Sequence, residues 1–168
     1  MAAGMTYEPI ATTTLSSSAS DITFSSISQS YTDLIIVVSG NTVSGGLTGG
    51  SITVGNNSLD TGSNYSMTEL YADGTSAASY RDTNKTYLNL TLSTSGTSTT
   101  NSIIQFMNYS NTTTYKTFIS RSNTPTIALR TAVGLWRSTS AINIISIAPY
   151  AVSWAAGTTA TIYGIAAA

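Results

Sequence analysis

YTDLIIVVSGN, Tyr31 to Asn41, carries five consecutive apolar residues from Leu34 to Val38, four of them β-branched. A run this short is below the length of a helix that buries one face, and branching at Cβ favours extended backbone. It reads as a strand, and its unbroken apolar character predicts burial on both faces, at a central position in a sheet.

Working outward, the same signature recurs. TYEPIATTTL (Thr6–Leu15) and SDITFSSI (Ser20–Ile27) precede it, separated by the Ser-rich turn Ser16–Ser20. GGSITVGN is framed by glycines. TYLNLTLS alternates strictly, with Tyr87, Asn89 and Thr91 on one face and Leu88, Leu90 and Leu92 on the other. SIIQFMNY, TYKTFIS, IALRTAVGLWRS, INIISIA and TATIYGIA follow at regular intervals. No segment sustains a 3.6-residue stripe, and the best helix candidate is the brief SMTELYAD, Ser66–Asp73. The expected fold is all-β: an antiparallel β-sandwich or jelly roll of about eight to ten strands. Residues 6–168 form a single domain in this reading, and residues 1–5, which lack a β pattern, form an N-terminal arm.

Composition supports a folded, weakly charged chain. Of 168 residues 41% are hydrophobic and only 8% charged, with a net charge of -1; ordinary soluble proteins are about 25% charged. Ser and Thr fill the gap at roughly a third of the sequence. Ten Tyr and repeated aliphatic runs separate it from disordered Ser/Thr-rich chains. Little charge repulsion opposes self-association.

Absent residues exclude several chemistries. With no His there is no Ser-His-Asp triad and no imidazole metal ligand, and with no Cys there is no thiol nucleophile, disulfide or thiolate zinc site. No apolar run approaches the ~20 residues of a membrane span, and no signal-peptide pattern opens the chain. Six scattered Lys and Arg make no nucleic-acid footprint. The expectation is a protein folded in a cytoplasm, without cofactor, nucleic acid or membrane. The six Asn-X-Ser/Thr sequons then reflect Asn and Thr abundance.

Charge is distributed unevenly. Every acidic residue lies at or before Asp82 and every basic one at or after Arg81. Either the two halves interleave and pair inside one sandwich, or the acidic part of one subunit meets the basic part of another.

Several short motifs invite a catalytic reading. Asp60-Thr61-Gly62-Ser63 matches the tetrapeptide of aspartic proteases, whose two carboxylates share a proton. Here it follows the polar Gly55-Asn56-Asn57-Ser58-Leu59, and the Ala132-Val133-Gly134-Leu135 stretch is a weak match to the supporting strand. The spacing predicts instead an Asx-type turn, with the Asp60 carboxylate capping nearby N–H groups and Gly62 at positive φ. GGLTGGS lacks the Lys-Ser/Thr of a phosphate loop. Glu69 and Asp73 flank Tyr71 as a glycosidase pair would, but the expected reading is a solvated helical turn. Asp60 and Asp73 lack the spacing of a calcium loop. The chain is expected to have no catalytic, cofactor or metal site.

The segments Thr6–Gly40, DTGSNYS, MNYSNTTTYKTFISRSN, VGLWRSTSAINIISI and WAAGTTATIYGIA cover more than half of the chain in order. Together they resemble small virion structural proteins of tailed bacteriophages, especially those of cyanobacterial and marine hosts. The resemblance implies a β-rich, non-enzymatic virion component: a capsid decoration or cement protein, or a tail or fibre component. Its partners would be itself, as a homotrimer, and other virion proteins such as the major capsid protein. Candidate self-association anchors are Tyr150, Trp154 and Tyr163, with Arg130 and Arg137 facing acidic residues of a neighbour, and the small Ala166-Ala167-Ala168 end suits close packing. The alternative is an adhesin that stacks host surface glycan on aromatics lying close to Asn, Asp and Arg (Tyr65, Tyr71, Tyr80, Tyr109, Tyr115 and Trp136), with Tyr65, Tyr71 and Trp136 foremost; the expected place of these rings is instead the core and interfaces of a β fold.

Overall fold

A computed structural model describes residues 6–44, 48–94, 99–124 and 128–166. Thirteen strands run through them: β1 Tyr7–Thr14, β2 Ile22–Phe24, β3 Asp33–Gly40, β4 Thr48–Asn56, β5 Ser58–Leu59, β6 Tyr65–Ala72, β7 Ala77–Lys85, β8 Leu88–Thr94, β9 Thr100–Met107, β10 Lys116–Thr124, β11 Ala128–Trp136, β12 Ile144–Pro149 and β13 Thr159–Ile165. Every pairing is antiparallel. The fold is an all-β sandwich. Its large sheet has the order β1-β13-β3-β9-β10-β11-β6-β7; its small sheet has the order β2-β12-β4-β5, with β8 also on β4.

The core lies between the sheets. Leu34, Ile36 and Val38 of β3, Ile104 and Phe106 of β9, Phe118 of β10 and Ile162 of β13 point down from the large sheet. Ile52, Val54, Leu88, Leu90, Ile145 and Ile147 meet them from the small one. Strict alternation in β8 thus places Leu88 and Leu90 inside, as the sequence predicts. Phe106 and Phe118 pack tilted, centroids 5.9 Å apart. The Phe118 ring occupies the space a Cβ at Gly134 would need, so this glycine is fixed by close approach.

Hydroxyls extend the inner face where aliphatics stop. Between β9 and β10, the Ser102 and Ser122 hydroxyls lie 2.9 Å apart, and those of Thr100 and Thr124 also 2.9 Å apart, all four residues buried. Burying a hydroxyl is tolerable when it is paired, which is how a chain so rich in Ser and Thr still closes its core.

Three expectations need correction. Leu34–Val38 is a central strand, but only Leu34, Ile36 and Val38 are fully buried; Ile35 and Val37 are half-buried on the outer face of the large sheet. That face is not covered by another layer, so the unbroken run serves two surfaces rather than one interior. Ser66–Asp73 is not helical: Tyr65, Met67 and Glu69 point inward with period two, as β6 between β11 and β7. Backbone pairing on both sides overrides the helix propensity of Met, Glu and Leu. Gly62 is not among the glycines at positive φ, which among the described residues are Gly74 and Gly157. Residues 1–5, Gly45–Leu47 and the Ala167-Ala168 pair lie outside the described residues.

Candidate functional sites

Asp60 stands where the small sheet hands the chain to the large one, just after β5. Its Oδ1 accepts the Gly62 N–H at 2.8 Å, and its Oδ2 accepts Asn64 Nδ2 at 2.9 Å and Trp136 Nε1 at 2.7 Å. The Tyr65 hydroxyl lies 2.7 Å from the Asp60 carbonyl oxygen and 3.0 Å from that of Val54. The Asx turn is therefore as expected, apart from the φ of Gly62. Burial pushes the Asp60 carboxyl up, but the bonds from Trp136, Asn64 and Gly62 outweigh it and hold it below the ordinary value. Its carboxylate is engaged in joining β5 to β11, a structural task.

The two carbohydrate candidates around this knot are closed off. Tyr65 is fully buried, and burial drives its phenol well above the ordinary range. Trp136 is 3% exposed with its indole N–H on Asp60. Neither ring offers a face for stacking a sugar. Tyr71, the third, is half-buried elsewhere.

The proposed self-association anchors divide in the same way. Trp154 is fully buried, bridges to Ala19 and Thr42, and donates to the Ile147 carbonyl at 3.2 Å; it closes the monomer and presents no surface. Tyr150 donates to Asn89 Oδ1 at 2.7 Å and packs beside Tyr87. Arg137 is spent inside the chain, on the Ser63 carbonyl at 2.7 Å, Asn84 Oδ1 at 3.0 Å and Ser66. Arg130 pairs with Glu69 at 3.1 Å. The sequence's charge asymmetry is thus met, at this pair, by the two halves meeting within one sandwich. Only Tyr163 lies on an outer face.

That outer face is the large sheet's. Registers place Tyr163, Ile35, Gln105, Ile119, Val133 and Thr68 in one row across it. The neighbouring row runs Thr161, Val37, Ile103, Arg121, Thr131 and Leu70. Leu70 and Leu129 are each 60% exposed and Val133 53%, with Ile103 and Ile119 also in solvent. Shallow hollows of about 370 and 510 Å³, mostly apolar, lie along β10, β11, β6 and β7. Isolated exposed aliphatics are ordinary; a contiguous set across several strands marks a contact surface.

A different surface lies on the inner side of the same strands, where β6 and β7 overhang the small sheet. Glu69 is almost fully buried there; burial raises its carboxyl above the ordinary value, partly offset by Arg130. The Arg130 guanidinium sits 4.7 Å over the Tyr71 ring. Tyr80 stands opposite Glu69 in the β6–β7 ladder. Asn89 of β8 donates to Asp82 Oδ2 at 3.1 Å, and Lys85 approaches Asp82 at 3.3 Å. With Arg81, and without Lys85, these groups line a polar groove of about 490 Å³. Glu69 and Arg130 are 61 residues apart, so no motif spacing announces the groove. Among the described residues no cluster of three or more acidic side chains could hold a metal ion.

No protein-family model matches the chain, and no curated protein matches it. Among solved structures, exo-inulinase from Aspergillus awamori aligns over 95% of this chain at 12% identity and a TM-score of 0.47, and the chain spans 29% of that enzyme's length. A protein of unknown function from Shewanella oneidensis MR-1 aligns over 100% of this chain and 82% of its own, at 11% identity and a TM-score of 0.27. At these scores neither likeness carries a functional argument.

Proposed function

We propose that the protein is a non-enzymatic structural subunit of a bacteriophage virion, a capsid decoration or cement protein that self-associates as a homotrimer and binds the particle surface. The observation that carries this reading is the exposed aliphatic face of the large sheet, from Tyr163 and Ile35 to Val133 and Leu70. Its occupant is a second copy of the chain. Two features support that choice: a net charge of -1, which sets little repulsion between copies, and the scarcity of charge on the face itself, where Arg121 and, at the β7 edge, Arg81 stand among apolar and hydroxyl side chains. The resemblance of the sequence to tailed-phage virion proteins supplies the setting: synthesis in the host cytoplasm and a final location in the virion. The carboxylates most suggestive of chemistry, Asp60 and Glu69, are engaged in intramolecular bonds, which favours a structural role over an enzymatic one.

Sedimentation of the purified chain tests the association. A trimer is expected, and Ile119→Asp, which places a charge in the centre of the face, is expected to dissociate it by about 2–5 kcal/mol in association energy. A stable wild-type monomer at micromolar concentration that still binds particles would overturn the reading. Copy number in purified particles then locates the subunit: hundreds for capsid decoration, tens or fewer for a tail or fibre.

A further inference from the structure

We propose that the overhang of β6 and β7 is a carbohydrate-binding groove, in which Tyr80 stacks on a sugar ring while Glu69, Asp82 and Arg130 bond its hydroxyls. The ligand class is a neutral, hydroxyl-rich glycan segment. This inference does not rest on the virion reading, because the groove opens on the inner side of the strands whose outer side forms the apolar face.

A pyranose has an apolar C–H face and a rim of hydroxyls. A site for it needs one accessible aromatic plane, donors and acceptors around that plane, and little net charge. Tyr80 is 57% exposed on β7, the terminal strand of the large sheet. In the ladder it stands directly across from Glu69, with Asp82 two residues further along the same strand.

The polar groups around it are pre-arranged. Arg130 is fixed from two sides, by Glu69 at 3.1 Å and by the Tyr71 ring beneath it. Its Nε is nonetheless buried with no hydrogen-bond partner in the protein. Nε itself is sealed from solvent, so it is the exposed fifth of the Arg130 side chain that a bound hydroxyl meets. Asn89 is locked between Tyr150 and Asp82, which holds the floor rigid. Rigid walls lower the entropy lost on binding. The lining carries two carboxylates, Glu69 and Asp82, and two arginines, Arg81 and Arg130, so it has no net charge, which suits a neutral sugar better than a uronic or sulfated one. The volume of about 490 Å³ falls within the range of roughly 300–1,000 Å³ typical of small-ligand sites.

The test is calorimetric titration of the full chain with neutral trisaccharides built from glucose, mannose, galactose and N-acetylglucosamine, alongside a trigalacturonate control. Saturable binding of at least one neutral member is expected. Tyr80→Ala should weaken it about tenfold or more, whereas Tyr80→Phe, which keeps the ring, should bind nearly as the wild type does. Ile119→Asp on the outer face should leave it unchanged, so that failure of self-association and failure of the groove are read separately. Tyr80 is exposed and its removal leaves the core intact, and an unchanged melting temperature verifies this. No saturable binding to any neutral member, undiminished binding in Tyr80→Ala, or preference for the trigalacturonate would each overturn the assignment.

Discussion

On the outer face of the large sheet Leu70, Ile103, Ile119, Leu129 and Val133 stand in solvent, whereas on the outer face of the small sheet Thr23, Ser51, Thr53 and Ser146 predominate beside Ile144 and Ala148. The small sheet's hydroxyls are served locally: Asp21 accepts from Thr23 at 2.8 Å and from Ser146 at 3.4 Å. That face is at ease in water. The aliphatic one is not, because apolar area left wet forgoes roughly 25 cal/mol per Å². In a chain with so few charges, hydroxyls and aliphatics are the two available ways to finish a surface. The choice between them separates the face that ends the molecule from the face that continues into a neighbour.

The comparison has a clear breaking point in the core, where the two sheets should be equivalent. Ile36→Ala in the large sheet and Ile52→Ala in the small one remove fully buried side chains. Each is expected to cost about 2–5 kcal/mol in urea unfolding. A cost below about 1 kcal/mol in either would mean that its sheet is not held as described.

A smaller effect is expected where the sheets are tied together. Asp60→Asn weakens the bonds to Gly62, Asn64 and Trp136 and should cost about 1 kcal/mol at neutral pH. Because the folded carboxyl lies below its ordinary value, the stability it contributes is present above about pH 4 and is lost as pH falls through the folded value. The difference between wild type and Asp60→Asn should therefore shrink in acid; unfolding curves at pH 7 and pH 3 check the sign. The smallest effects belong to the outer faces. Thr53→Val and Val133→Thr should each change folding stability by no more than about 0.5 kcal/mol. Val133→Thr alone should weaken self-association, and equal effects from both substitutions would erase the distinction between the faces.

Much of this was legible in the residues, and the failures have physical causes. Leu34–Val38 announces a strand because its composition is unambiguous, but a run of five aliphatics does not say whether its second face meets core or solvent. SMTELYAD carries helix formers, and its strand identity comes from β11 and β7, which lie 57 and five residues further on, judged from Leu129↔Ala72 and Ala77↔Ala72 at that end of the ladder. β7 itself, AASYRDTNK, has a single large apolar ring and no alternating aliphatics, as befits an edge strand with β6 as its sole sheet neighbour. Since Tyr80 and Glu69 are brought together by that unannounced strand, the groove stayed hidden as well. Aromatics near Asn, Asp and Arg do suggest sugar chemistry, but burial decides which rings can take part, and sequence puts Tyr65 and Trp136 on the same footing as Tyr71.

The position of β13 sets a schedule for synthesis. Among the described residues β1 has β13 as its sole neighbour in the large sheet, paired from Tyr7↔Ile165 to Thr14↔Thr159, and β13 in turn separates β1 from β3. At about 5–20 residues per second, a ribosome takes roughly ten to thirty seconds to travel from one to the other. Through that interval β1 has no partner and β3 lacks one of its two. An aliphatic β1 would spend the wait as an invitation to aggregate. Its actual sequence ends in Thr12, Thr13 and Thr14, and once β13 arrives the Thr12 and Thr14 hydroxyls find those of Thr161 and Thr159, each at 3.1 Å. The strand that waits longest ends in side chains that water tolerates.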